Sequence, residues 1–218
     1  MLKRGFFAAC GMMLPFAAFG QVLWDQEPNP DGLGFASDGI STNGSQYYQE
    51  ALADNFTLSG ASNVTNIEFW GSSDDTFFPD LTNFSAFDIY IYDPSFNVVY
   101  STQVSTASLT PVYTGVNSAF GGQIYSFNLA TNINLAAGNY ELHVGSINVA
   151  PQGDGFVWAD SVSGDNLLYA NIFNGQGWNT ESGFGDLAFK LSGSPAPEPA
   201  SIALLGLGVV ALIRRKRR

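Results

Sequence analysis

Alternation of apolar and polar residues is the feature that most limits what this chain can fold into. In "AFDIYIYD", residues 86–93, every second position is apolar, with Phe87, Ile89 and Ile91 on one side. Because successive side chains of a strand point to opposite faces, this spacing predicts a half-buried β-strand. The same pattern recurs in "NIEFW" (66–70), "IYSFNL" (124–129), "YELHV" (140–144) and "DLAFKL" (186–191).

Turn signals separate these segments, as expected when strands follow one another closely. They are Gly121-Gly122, Gly138-Asn139, Gly153-Asp154-Gly155, Gly164-Asp165 and Asn174-Gly175. Less regular runs ("DNFTL", "NVVYSTQV", "FVWAD", "NLLYANIF") raise the expected count to about ten strands, and only "QYYQEALA" (46–53) predicts a short helix. No internal repeat is visible. The sequence therefore predicts an all-β fold: one antiparallel β-sandwich, jelly-roll-like, over residues 21–191.

The N-terminus has the three parts of a secretory signal. Lys3 and Arg4 precede an apolar stretch, and Ala18 and Gly20 supply small residues before a cut at Gln21. Residues 1–20 are therefore predicted to be a signal peptide that the secretory translocon reads and that is then removed. An N-terminal core helix is the alternative.

Cysteine usage adds a constraint. Cys10 is the one cysteine, and "FAAC" leaves lipidation at Cys10 as an alternative to ordinary cleavage. If the cut lies before Gln21, the mature protein has no cysteine. Disulfides, thiolate metal sites and a cysteine nucleophile are then excluded.

Charge is distributed unevenly along the 218 residues, whose net charge is −11. Seven of the eight Lys and Arg residues lie at the two ends. Between residues 21 and 194, Lys190 stands alone against 18 acidic residues, which gives this part a net charge near −17. Such a surface repels phosphate backbones, so we expect no nucleic-acid partner.

The C-terminus, "SPAPEPASIALLGLGVVALIRRKRR", has three successive parts. A Pro-rich linker is predicted over residues 192–199, and an apolar run of 14 residues covers 200–213. As a helix this run rises about 21 Å against a hydrocarbon core of about 30 Å, so it predicts a short transmembrane helix. The basic tail would stay on the cytoplasmic side; it consists of Arg214, Arg215, Lys216, Arg217 and Arg218. A lasting anchor and a buried helix are the alternatives.

The triplet Pro197, Glu198 and Pro199, followed by an apolar helix and an Arg-rich end, resembles the PEP-CTERM sorting signal of Gram-negative bacteria. The resemblance implies that a membrane-embedded exosortase reads the triplet, processes the chain and delivers it outside the cell, commonly alongside exopolysaccharide. The body resembles, more loosely, a recurring domain of such proteins, which brings no established activity. The resembling blocks are residues 51–71, 87–92, 135–144 and 185–193.

The sequence offers candidates for two kinds of catalytic site. His143, the sole histidine, lies beside Glu141 on a predicted strand, opposite its apolar face, but no G-x-S-x-G motif accompanies it. We interpret it as a surface or hydrogen-bonded histidine, and one histidine without cysteine makes a zinc site improbable. Glu68, Glu141 and Asp160 are candidate acids of a glycosidase, which needs two carboxyls flanking the bond.

The sequence also offers candidates for two kinds of ligand site. Oxygen-rich loops suit Ca²⁺, and the candidate ligands are Asp74, Asp75 and Asp80, or Asp154, Asp160 and Asp165, with ordinary turn formation as the alternative. Exposed tryptophans can stack on sugars. Trp70, opposite Ile67 and Phe69, and Trp178, in "NGQGWN", are the candidates, with core packing as the alternative.

These observations predict an exported, non-enzymatic surface or extracellular-matrix protein, transiently tethered to the inner membrane, with a structural or adhesive role linked to exopolysaccharide. No cofactor is expected apart from the candidate Ca²⁺. A Ca²⁺-assisted carbohydrate-binding module is the alternative function, and a secreted hydrolase is a further one.

Overall fold

The computed structural model describes residues 20–37, 39, 50–73, 84–119, 122–148, 155–172 and 177–196. The predicted signal peptide up to residue 19, the Pro-Glu-Pro triplet, the predicted transmembrane helix and the basic tail lie outside the described residues. Within them are fourteen β-strands, one 3₁₀ turn (Thr106–Ser108) and no α-helix, which confirms the all-β prediction. The described residues contain no helix of the length and apolarity that a membrane span requires.

The strands form two antiparallel sheets, as expected for a β-sandwich. The eight-stranded sheet contains β1 (Gln21–Gln26), β2 (Gly34–Ala36), β4 (Ser62–Ser73), β7 (Val112–Asn117), β8 (Gln123–Leu135), β10 (Phe156–Ser161), β13 (Asp186–Leu187) and β14 (Phe189–Pro195). The six-stranded sheet contains β3 (Glu50–Leu58), β5 (Phe84–Tyr92), β6 (Val98–Ser105), β9 (Gly138–Asn148), β11 (Leu167–Ile172) and β12 (Trp178–Ser182). Its spatial order is β12-β11-β3-β9-β5-β6.

A phenylalanine cluster joins the two sheets. Phe69 of β4 stacks on Phe127 of β8 at 5.1 Å between ring centroids and meets Phe87 of β5 edge-on at 5.2 Å. Phe156 of β10 contacts the same group, at 5.0 Å from Phe87. Because β5 belongs to the six-stranded sheet and the others to the eight-stranded one, these rings fill the space between the sheets. Phe87 is fully buried, as the alternation predicted.

The short helix predicted over residues 46–53 is wrong for the part that the structure describes. Glu50 to Ala53 begin β3, which pairs with β11 on one side and β9 on the other. Alanine, leucine and glutamate favour helices in isolation, but pairing on both edges and burial override this weak local preference. Leu52 faces the core, where it is 3% exposed.

The predicted start of the linker at residue 192 is also wrong. Strand β14 continues to Pro195, and Ala196 donates its N–H to the carbonyl of Ala61 at 2.6 Å. Small residues permit this pairing, because a Cβ at Gly193 would collide with the backbone of Asn63 on β4. The composition that suggested a linker instead allows close approach of two strands.

The two ends of the body lie side by side. Gln21, the first residue of β1, is opposite Gly193 near the end of β14. Because the two strands are antiparallel, the segments before Gln21 and after Ala196 leave the same end of the sheet. The predicted export signal and the predicted sorting tail therefore attach to one end of the body.

Candidate functional site

The outer face of the six-stranded sheet carries polar residues that are not exposed. His143 on β9 lies between Ala53 on β3 and Tyr90 on β5, and Glu141 lies between Asn55 and Tyr92. Their neighbours along β9 point to the core, so alternation places both side chains on the opposite face, as predicted for His143. Glu141 is only 4% exposed and His143 is fully buried. This outer face is therefore covered.

Aromatic rings provide the cover. The Trp178 ring stacks on Phe96 at 4.9 Å between ring centroids, with an interplanar angle of 11°. Its centroid lies 5.5 Å from that of Tyr92 and 6.1 Å from that of His143. Phe96 also meets Tyr169 at 5.3 Å, and Tyr90 stacks on Tyr92 at 5.6 Å. We call these five rings the outer-face aromatic cluster; its members are Tyr90, Tyr92, Phe96, Tyr169 and Trp178.

Trp178 reaches across the sheet to join this cluster. It belongs to β12, whereas His143 belongs to β9, and strands β11 and β3 lie between them. The Trp178 ring therefore extends over the outer face of β11 and β3 towards β9. Ala51 and Ala53, both fully buried on this face of β3, have side chains small enough to leave room for the ring.

The turn from Asp93 to Asn97 holds Phe96 over the site. Phe96 has φ 59°, an unusual value for a residue with a side chain. One carboxylate oxygen of Asp93 accepts hydrogen bonds from the backbone N–H groups of Ser95 and Asn97, both at 2.9 Å. A left-handed conformation of this kind costs about 1–3 kcal/mol, and such strain is concentrated at functional sites.

His143 is held as a neutral ring. Its Nδ1 lies 2.7 Å from the carbonyl oxygen of Leu52, so Nδ1 carries the hydrogen and donates it. Burial lowers the pKa of His143 to about 4, against the opposing effects of this hydrogen bond and of Asp88. Nε2 is then an acceptor, and it has no hydrogen-bond partner among the residues that the structure describes.

Glu141 shares this unsatisfied state. Burial, followed by the nearby charge of Asp165, raises the pKa of Glu141 from 4.5 to about 7. Its Oε2 is buried and has no partner in the described part of the chain. The outer face thus combines two polar atoms that have no partner among the described residues with a cluster in which four of the five rings are partly exposed. This arrangement suits a ligand that has both hydroxyl groups and apolar faces.

A second polar cluster, which the sequence reading missed, lies on the inner side of β3. Asp54 is fully buried and accepts hydrogen bonds from the N–H groups of Leu187 at 2.6 Å and Asn55 at 2.7 Å. Burial raises its pKa well above the ordinary value, and Asp186 adds to the effect. The available signal was its position, since Asp54 has the same parity as the core residues Leu52 and Phe56.

Trp70 is not a platform for sugars. Alternation correctly places it opposite Ile67 and Phe69, but that face is covered too: Trp70 is 7% exposed and packs in a small cluster with Ile124 and Ala188. The prediction of an exposed ring at this position is wrong, and core packing describes it. Trp178, in contrast, is partly exposed within the outer-face aromatic cluster.

Two of the three candidate acids, Glu68 and Glu141, do not come together. Glu68 lies on β4 opposite the core residues Ile67 and Phe69, so it is on the outer face of the eight-stranded sheet. Glu141 is on the outer face of the other sheet. The two carboxyls are therefore on opposite sides of the body and cannot flank one glycosidic bond.

The candidate calcium ligands have separate roles where they are described. Asp160 accepts a hydrogen bond from Asn29 at 3.3 Å, and Asp165 accepts from Asn55 at 3.0 Å. The described residues contain no group of three His, Cys, Asp or Glu side chains that could hold a metal ion. The other candidate ligands, Asp74, Asp75, Asp80 and Asp154, lie outside the described residues.

Comparison with known families identifies the C-terminal segment. Residues 195–218 match the PEP-CTERM protein-sorting motif. The chain carries a PEP-CTERM sorting signal. This signal implies processing by an exosortase, and it supports export along a membrane-associated route to the cell surface. Residues 22–105 match a domain of unknown function (DUF7901), and no curated protein or solved structure matches the chain.

The DUF7901 match ends in the middle of the folded body of this PEP-CTERM chain. Residues 22–105 include β2 to β6 and all but the first residue of β1, but β1 to β5 pair with β8, β9, β10, β11 and β14, which lie beyond residue 105. Of the four blocks that resemble domains of such proteins, 51–71 and 87–92 lie within the match. The strands continue to Pro195, so the folded unit is larger than the matched segment.

Proposed function

We propose that the chain is the precursor of a non-enzymatic surface or extracellular-matrix protein with a structural or adhesive role, which acts on or within exopolysaccharide. The sorting motif at residues 195–218 carries the proposal. The motif accounts for the apolar run and the basic residues at the C-terminus. Residues 1–20 would be removed during export, and residues 200–218 would tether the chain until processing.

The geometry of the body fits this sequence of events. Both ends leave the same end of the sheet, so the tether holds that end towards the membrane while the opposite end faces away. Ala196 is bonded to the sheet, and the triplet Pro197 to Pro199 follows directly. The exosortase would therefore act on a triplet that begins one residue after the last described contact with the sheet.

The outer-face aromatic cluster is the proposed contact with polysaccharide. Sugar rings stack on aromatic faces, and their hydroxyl groups both donate and accept hydrogen bonds. The Oε2 of Glu141 and the Nε2 of His143 are the unpartnered atoms that such hydroxyls could satisfy. Because Nε2 of His143 is buried and the Trp178 ring lies 6.1 Å from the His143 ring, a glycan that reaches this atom should displace Trp178, and binding should then change tryptophan fluorescence.

Two alternatives use other features of the chain. A Ca²⁺-assisted carbohydrate-binding module would place ions on the aspartates of residues 74–80 or on Asp154, and binding would then require Ca²⁺. A secreted hydrolase would use Glu141 as an acid, because a carboxyl with a raised pKa can donate a proton near neutral pH. Release of reducing ends from the polysaccharide would favour the hydrolase.

Substitution of Trp178 tests the proposed contact. We expect the Trp178→Ala variant of the exported protein to bind the host's own exopolysaccharide about tenfold more weakly than the wild type, because it loses one stacked ring. Calorimetry and pull-down, each with Ca²⁺ and with a chelator, measure the change. Phe184→Ala, at a phenylalanine that is 54% exposed outside the cluster, is the matched control and should bind like the wild type.

The outcomes separate the parts of the proposal. Wild-type protein that fails to bind with and without Ca²⁺ would remove the polysaccharide contact while leaving sorting intact. Binding that Trp178→Ala leaves unchanged would place the contact elsewhere on the body.

A further inference from the structure

Glu141 is a buried carboxyl beside the outer-face aromatic cluster. Its register on β9 places it between Asn55 of β3 and Tyr92 of β5, and the Tyr92 ring belongs to the cluster. The side chain is 4% exposed, and its Oε2 is buried without a hydrogen-bond partner among the described residues. Buried carboxyl groups in proteins are normally hydrogen-bonded or paired with a cation. Glu141 therefore has an unmet demand for a donor or for a positive charge.

The body of the chain has no positive side chain left for Glu141. Between residues 21 and 194, Lys190 is the sole Lys or Arg and His143 is the sole histidine. Lys190 lies on β14 of the other sheet, where its Nζ is 2.9 Å from a carboxylate oxygen of Asp25. The His143 ring is neutral, because its Nδ1 donates a hydrogen bond to a backbone carbonyl and burial opposes a second proton.

The groups around Glu141 add negative charge rather than balance it. Asp165 is exposed and accepts a hydrogen bond at 3.0 Å from Asn55, the residue opposite Glu141 on β3. Burial raises the pKa of Glu141 to about 7, and the charge of Asp165 contributes to this shift. Burial and then the charge of Glu141 raise the pKa of the Tyr169 hydroxyl, which places this ring of the cluster near the same carboxyl.

The chemistry of the cluster favours a ligand that donates hydrogen bonds and carries positive charge. Nε2 of His143 is an acceptor, and the carboxylate of Glu141 has acceptors only. Aromatic ring faces attract ammonium groups. The net charge near −17 of residues 21–194 attracts cations and repels a sugar that carries a carboxylate.

We propose that the outer-face aromatic cluster binds an amino sugar of the polysaccharide, with the sugar's ammonium group on the carboxylate of Glu141 and a hydroxyl group on Nε2 of His143. This inference rests on the proposed polysaccharide contact and names the class of sugar that the contact selects. The exopolysaccharide that the exported protein meets would then contain free amino groups.

Acetylation of the free amino groups in the host's exopolysaccharide tests the role of charge. The reaction turns each ammonium group into a neutral amide and leaves the sugar rings and their hydroxyl groups in place. We expect the exported protein to bind the untreated polysaccharide at least about tenfold more tightly than the acetylated one at about pH 6.5, where most amines carry a proton. Calorimetry with both preparations measures the ratio.

Glu141→Gln tests the position of the charge. Glutamine keeps the size of the side chain and cannot ionise, so this variant should bind the two preparations about equally. Glu68→Gln is the matched control, because it removes a carboxylate from the outer face of the other sheet, opposite Lys190, and it should keep the wild-type preference. The wild type should also release protons when it binds the untreated polysaccharide, since the ammonium group favours the ionised form of Glu141, and Glu141→Gln should not. Calorimetry in two buffers of different ionisation enthalpy measures this release.

The outcomes separate this inference from the proposed function. A wild type that binds both preparations equally, a Glu141→Gln variant that keeps the preference, or a Glu68→Gln variant that loses it would overturn the amino-sugar assignment and leave the polysaccharide contact standing. A wild type that binds neither preparation would remove the polysaccharide contact itself, and the assignment with it.

Discussion

Replacing Glu141 by glutamine is expected to give a variant whose free energy of unfolding, relative to the wild type, increases by about 3 kcal/mol between pH 4 and pH 7. Burial raises the pKa of Glu141 from 4.5 to about 7, so the folded body retains a proton that the unfolded chain releases. The wild type therefore loses stability as pH rises from about 4.5 to about 7, and glutamine cannot lose a proton. Urea unfolding of both proteins across this range measures the difference.

His143 provides a control with the opposite sign. Burial lowers its pKa from 6.5 to about 4, so the unfolded chain binds a proton that the folded body excludes. The free energy of unfolding of the wild type, minus that of the His143→Asn variant, should therefore rise between pH 4 and pH 6.5. The stability of the wild type relative to each variant should change with pH in opposite directions. If both differences change in the same direction, or if neither changes, the buried, neutral state assigned to both side chains is contradicted.

Replacing Phe156 by alanine is expected to lower the free energy of unfolding by about 3–5 kcal/mol, because it opens a cavity in the core. Phe156 is fully buried and meets the rings of Phe69, Phe87 and Phe127 between the sheets. Urea unfolding of the exported protein measures the loss.

Phe184→Ala is the matched control for this core prediction. Phe184 is 54% exposed and meets the ring of Phe35 edge-on at 6.1 Å between centroids, so its removal should lower the free energy of unfolding by only about 0.5–1.5 kcal/mol. Losses of similar size at the two positions would mean that the phenylalanine cluster is not the core that joins the sheets.

The strands were predictable where the apolar face alternates strictly. Phe87, Ile89 and Ile91 are all fully buried on β5, because a strand with one core-facing side has period two in its sequence. Strand β3 was not predictable in this way. Both of its faces are buried, so its residues do not alternate, and its alanine and leucine favour a helix until β9 and β11 pair with it.

The candidate site was predictable only in part. Alternation places His143 and Trp70 on the face opposite the core, but it says nothing about what covers that face. The cover comes from residues distant in sequence: Trp178 reaches His143 from 35 positions away along the chain, and Phe96, from another loop, stacks on Trp178. Such contacts depend on the path of the chain in space, which single-strand periodicity does not contain.

The C-terminal signal was the most predictable part, because its information is local and ordered. The triplet at Pro197, Glu198 and Pro199, the apolar run and the basic tail each have a physical role that depends on neighbouring residues alone. The boundary before them was less clear, since Gly193 serves strand pairing rather than flexibility. Composition alone does not distinguish these two uses of glycine.

Intact-mass spectrometry of the protein from the membrane and the medium of its native host tests the central claim most directly. Sorting with removal of both ends predicts a species in the medium or at the cell surface that begins at Gln21 and ends near Pro197 to Pro199. A final form that stays in the membrane and still ends at Arg218 would contradict it, because the tail would then be a lasting anchor.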